Sequence, residues 1–222
     1  GEPEHVALVA GMLRDLELEE GDLACGPHEP SSQRGAKALR ESGERPTRLH
    51  NNCSGKHTAM LAQARHKGWS TQGYERREHH VQHGILHEVA LWTDVPCGRI
   101  TQAVDGCGVV VFGMTLQRMA RAYSRFAVAA ARGEAFPTRV LGAISQHPFL
   151  LGRAGRPTPR LIPAHHRHAV PMVDTERVHA RAWAASLRGV PVAPASLTPG
   201  AYASHHGAAS AGAFSLCAWS SA

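Results

Sequence analysis

His50-Asn51-Asn52-Cys53-Ser54-Gly55-Lys56-His57 is the stretch on which the reading of this chain turns. The two asparagines form a polar loop, and a helical pattern begins just after them. Ser54 suits an N-cap and Gly68 a C-terminal stop, so the sequence predicts a helix over about 54–67 with Met60 and Leu61 turned inward. Cys53 and Lys56 stand three residues apart at its start, and positions i and i+3 share a face. A helix N-terminus favours thiolate, which predicts a lowered pKa for Cys53.

Further along, Asp105-Gly106-Cys107-Gly108 supplies a second cysteine in a glycine-flanked turn, where the backbone is free to aim the side chain. Two thiols and an amine make a soft nitrogen-and-sulfur set of the kind zinc prefers. Cys53, Lys56 and Cys107 are therefore the candidate ligands. Lysine must lose a proton to serve, and burial beside a dication favours that loss. His57 and Asp105 stand where they would orient ligands or a bound water. By spacing alone, Cys-x-x-Lys is not a common metal signature. Two buried cysteines beside a solvated lysine would give the same pattern. A phosphate-binding loop is excluded, because His50 and His57 occupy positions that need Gly and Ser or Thr. None of the three lysines, Lys37, Lys56 and Lys67, follows a serine at the Ser-x-x-Lys spacing, so that nucleophile pair is missing. No Gly-x-Ser-x-Gly elbow supports a hydrolase triad either.

Outward from these motifs, residues 3–14 read as a helix with Val6, Leu8, Val9, Met12 and Leu13 on one face. Residues 26–35 read as a loop and 36–42 as a short helix ending near Gly43. A helix is predicted at 79–92, a buried strand at 109–112, and a helix at 116–132 capped by Thr115 and ended by Gly133. His79, His83 and His87 recur at four-residue steps and read as surface histidines. Trp69, Tyr74 and Trp92 read as packing. Arg118, Arg121 and Arg125 form a stripe that reads as a solvated helix face.

The chain of 222 residues is long enough to bury a core, and its net charge is +6. The arginines are dispersed with few aromatics beside them, which argues against a nucleic-acid surface. Five cysteines are an odd and sparse set for a disulfide framework, so a reducing, cytoplasmic setting is expected. No apolar run is long enough to span a membrane. Gly1 rather than Met at the start reads as processing or as a fragment. Beyond about 153 the pattern fades. Seven of the 14 prolines fall between 157 and 199, and Leu, Ile, Val and Phe are too few there to build a core. One short helix is predicted at 176–187, and residues 199–222 read as poorly ordered.

The run His50 to His57, together with Asp105 to Gly108, resembles the rhizobial-type, zinc-binding L-asparaginase family (asparaginase II). Gly1 to His5, Cys25 to Arg48, Trp69 to Gly73 and the helix at 115–127 are similar to it as well, so the resemblance covers about 1–152. It implies an α+β fold like part of a serine β-lactamase or penicillin-binding protein, with helices packed on a mixed sheet. It implies hydrolysis of L-asparagine to L-aspartate and ammonia. It places metal ligands at Cys53, Lys56 and Cys107, with His57 and Asp105 behind them or on the substrate side. The partner it implies is a small amide, L-asparagine, with a homodimer left open. The family's Ser-x-x-Lys and its C-terminal catalytic lysine have no counterpart in this chain, so the chain by itself is expected to be inactive. Residues 1–152 then form a partial asparaginase-like domain, and 153–222 a divergent tail that reads as degenerate or out of frame. A non-catalytic zinc-binding module is the alternative, with Cys97 or His57 as a fourth ligand.

Overall fold

The computed structural model describes residues 1–152. Residues 1–140 of these belong to one compact unit, and 141–152 to a second. The helix predicted at 176–187 and the tail lie outside the described residues. The order is α1 (Pro3–Asp15), α2 (Gln33–Ser42), α3 (Ser54–His66), α4 (His80–Thr93), β1 (Thr101–Val104), β2 (Val110–Gly113), α5 (Leu116–Ala131), α6 (Ala135–Gln146) and α7 (Pro148–Gly152). The fold is mostly helical with a small antiparallel ribbon, an α+β arrangement. The sheet among the described residues is two-stranded and antiparallel, not mixed.

In the first unit the core lies between α1, α3, α4 and the ribbon. Leu13, Leu61, Val81, Ile85, Val110 and Phe112 are all buried in one apolar cluster. β2 is covered on both faces, since Val110, Val111 and Phe112 are each buried. That explains why its sequence is an unbroken apolar run rather than an alternating one. β1 is largely exposed and carries no such run, so periodicity does not announce it. Its pairing, Val104 opposite Val110 and Thr101 opposite Gly113, is set by the turn between the strands.

Two boundaries differ from expectation for clear reasons. α2 begins at Gln33 rather than 36, because Ser32 caps it: Oγ accepts from the Gly35 N–H at 2.9 Å. At α3 the N-cap is Cys53, not Ser54. The capping acceptor comes from Asn51, whose Oδ1 takes the Cys53 N–H at 2.8 Å while its Nδ2 donates to the Gly26 carbonyl at 2.8 Å. Thr115 does cap α5, accepting from the Arg118 N–H.

The arginine stripe on α5 has a structural task. Arg118 and Arg121 both reach the Asp94 carboxylate, at 3.1 and 3.2 Å. Arg125 donates to the carbonyls of Leu91 and Trp92 at 2.7 and 3.1 Å. These are orphan acceptors at the end of α4, so the stripe closes that helix.

Gly35 is needed for space. A Cβ there would lie 2.9 Å from Pro30 Cβ, 3.0 Å from Ser32 Oγ and 3.1 Å from the Gly1 carbonyl. Gly35→Ala gains helix propensity of up to ~1 kcal/mol, but overpacking of this kind costs about 1–3 kcal/mol. A net loss of about 1–2 kcal/mol is expected in urea unfolding. An unchanged or raised midpoint would show that the α2 entry yields freely.

Candidate metal centre

The centre forms where the start of α3 meets the tip of the β1–β2 hairpin. Asp105 to Val109 close that hairpin. The Asp105 N–H donates to the Val109 carbonyl and the Gly108 N–H to the Asp105 carbonyl, both at 2.9 Å. Gly108 takes the left-handed conformation, φ 90°, that a three-residue hairpin loop requires. Asp105 also ties its own turn, with Oδ1 accepting from the Gly106 N–H. Cys107 is thus held at the tip by backbone bonds on both sides.

Cys53, Asp105 and Cys107 offer ligand atoms that all lie within 4.8 Å of one another. Lys56 faces the same space. Its Nζ is 3.6 Å from Asp105 Oδ2, and its side chain is only 10% exposed. The Cys107 thiol approaches Asp105 Oδ2 at 3.4 Å. The structure therefore brings together the residues that the two motifs single out. It places the Asp105 carboxylate among the thiols rather than behind them.

A hydrogen bond from Cys53 draws the Cys107 thiol far below its ordinary value, helped by His57 and by the Lys56 charge against the cost of burial. The same bond, and burial, push Cys53 up. The expectation of a lowered Cys53 thiol is thereby overturned: the neighbouring sulfur outweighs the helix terminus.

Behind the sulfurs, His57 is completely buried. Its Nδ1 is 2.5 Å from Tyr74 Oη, and the Tyr74 oxygen accepts from the Ala24 N–H at 2.9 Å. Nε2 is buried without a hydrogen-bond partner among the described residues. Tyr74 is a member of the site that sequence reading assigns to packing alone. Cys25 is also close enough to feel the Cys107 charge, and burial raises its thiol first of all. Cys97 is outside the Cys53, Asp105 and Cys107 group and lies 3.7 Å from His87 Nδ1. His79 caps α4 by accepting from the Val81 N–H, which removes it from the face suggested by its spacing.

Zinc fits the donors present. Two sulfurs, a carboxylate and an amine converge, and the negative charge on the thiol pair suits a dication. Lys56 is the demanding member, because its pairing with Asp105 favours the protonated amine that a metal would have to displace.

A family model for L-asparaginase II matches residues 1–206, and the chain belongs to that family. The match takes in most of the stretch beyond 152 that the motif reading leaves outside the resemblance. No curated protein matches the chain. Among the described residues no helix is long and apolar enough to cross a membrane.

Proposed function

We propose that this chain carries the zinc-holding part of an asparaginase-type amidohydrolase that converts L-asparagine to L-aspartate and ammonia. The supporting observation is the convergence of Cys53, Asp105 and Cys107 within 4.8 Å, in a chain of the L-asparaginase II family. Cys53, Lys56 and Cys107 would hold the ion, with His57 and Asp105 orienting the ligands. The ion would supply Lewis acidity near the substrate amide. Asp105 holds the Lys56 amine in place, and Lys56 would have to lose a proton to serve as a ligand. His57 braces the sulfur side from the dry interior. In this reading the carboxamide is cleaved by serine acyl transfer, on a scaffold related to the serine β-lactamases. The 222 residues contain no Ser-x-x-Lys to perform that step, so they are expected to bind zinc without turnover.

The second reading, a non-catalytic zinc module, draws support from Asp105. A carboxylate inside the thiol cluster offers a fourth protein ligand and a closed site, as structural zinc sites have. One preparation tests both. Zinc content is measured with ammonia release from L-asparagine, and the coordination is read by X-ray absorption. About one zinc per chain with an oxygen donor exchangeable with solvent supports the asparaginase site. A closed four-donor shell supports the module. Absence of zinc overturns both, and turnover by this chain overturns the assignment of the chemistry to a serine.

A further inference from the structure

We propose that Tyr74 is the positioning residue for His57 at this centre: it donates its hydroxyl proton to His57 Nδ1 and thereby fixes the neutral imidazole as the Nε2–H tautomer. The zinc consequence of this inference rests on the proposed function; the tautomer does not.

Hydrogen-bond accounting carries it. The Ala24 N–H donates to Tyr74 Oη at 2.9 Å, so the phenol oxygen already serves as an acceptor. Its own proton then needs an acceptor, and His57 Nδ1 lies 2.5 Å away. In the opposite arrangement Nδ1–H would donate to the phenol, and the Tyr74 hydroxyl proton would be left buried with no acceptor. An unpaired buried donor costs about 1–3 kcal/mol, enough to decide between tautomers. With Nδ1 accepting, neutral imidazole must carry its proton on Nε2. That nitrogen is fully enclosed and has no hydrogen-bond partner among the described residues.

Tyr74 is itself held firmly. Gln82 Nε2 donates to its carbonyl at 2.8 Å and lies 3.4 Å from Met60 Sδ. Tyr74 and Gln82 are almost wholly buried, and the phenol meets the imidazole edge to face with centroids 5.5 Å apart. The chain of contacts from Gln82 through Tyr74 to His57 therefore runs through the dry core. Outer partners of this sort set ligand orientation at metal sites.

The test uses the full 222-residue chain, labelled with 15N-histidine and free of metal. Proton–nitrogen correlation spectra identify His57 by its loss in His57→Gln. The expected wild-type signal shows a protonated Nε2 and a bare Nδ1. Tyr74→Phe should spread the population between tautomers and weaken zinc binding, measured by chelator competition, about 10- to 100-fold. A wild-type Nδ1–H tautomer overturns the proposal, as does an unchanged tautomer in Tyr74→Phe. If Tyr74→Phe does not fold, the wild-type spectrum alone decides. If the wild-type chain binds no zinc, the proposed function fails while the tautomer result still stands or falls by itself.

Discussion

Cys107→Ser is expected to reduce zinc binding by more than about 100-fold, since loss of an outer support alone costs about 10–100-fold and Cys107 is a proposed direct ligand. The reason is local. Cys107 is the thiol drawn down, first by its hydrogen bond with Cys53 and then by His57 and the Lys56 charge. A serine hydroxyl in its place keeps its proton at neutral pH and is a poor zinc ligand. Cys53 would then be left as a single thiol beside the Lys56 ammonium. The folded chain should survive, for the hairpin tip is closed by backbone bonds and not by the sulfur. Chelator competition with a chromogenic indicator measures the loss. Zinc retained at wild-type affinity would remove Cys107 from the ligand set.

The same chemistry fixes a pH dependence. In the metal-free chain Cys53 holds a proton, because its bond to Cys107 and its burial raise it. Lys56 is an ammonium paired with Asp105. Zinc must expel whichever of these protons it replaces, so affinity rises with pH, by about tenfold per unit for each proton released. A slope of one proton points to Cys53 alone, and a slope of two adds Lys56. Affinity that is flat across neutral pH would contradict the protonated thiol.

Much of this centre is legible in the sequence, because the thiols and the amine lie in two compact motifs whose backbones are locally determined. α3 follows from a polar loop, a helical pattern and Gly68, and the turn at Cys107 follows from its two glycines. The ends of α1, α3, α4 and α5 fall within a residue or two of the sequence expectation. What stayed hidden depends on contacts between distant segments. Tyr74 joins the site only because Ala24 and His57 meet it from separate parts of the chain. The direction of the Cys53 shift depends on where Cys107 lands, which spacing does not reveal. β1 was missed because an exposed four-residue strand needs no apolar pattern once β2 supplies its partner. α6 and α7 have no counterpart in the sequence expectation, and Pro137 is the buried residue of α6.

Phe112→Ala should act in the complementary way, on the fold and not on the ligands. Phe112 is 2% exposed and sits in the apolar cluster with Leu61 and Ile85. Truncating a buried phenylalanine costs about 3–5 kcal/mol through lost transfer energy and the cavity left behind. For a chain of this size that lowers Tm by about 6–20 °C. Phe112 is not one of the proposed ligands, and the bonds that close the tip lie between Asp105 and Val109. Zinc should therefore still add its own increment. Binding to the folded state alone contributes about 2.7 kcal/mol at a free concentration 100 times Kd, or roughly 5–10 °C here. Cys107→Ser should invert this behaviour, keeping the metal-free Tm and losing the increment. Scanning calorimetry of both variants with and without zinc reads the four values. If Phe112→Ala also loses the zinc increment, the hairpin tip is not held by its own backbone bonds, and the metal centre depends on the packing of β2 for its geometry.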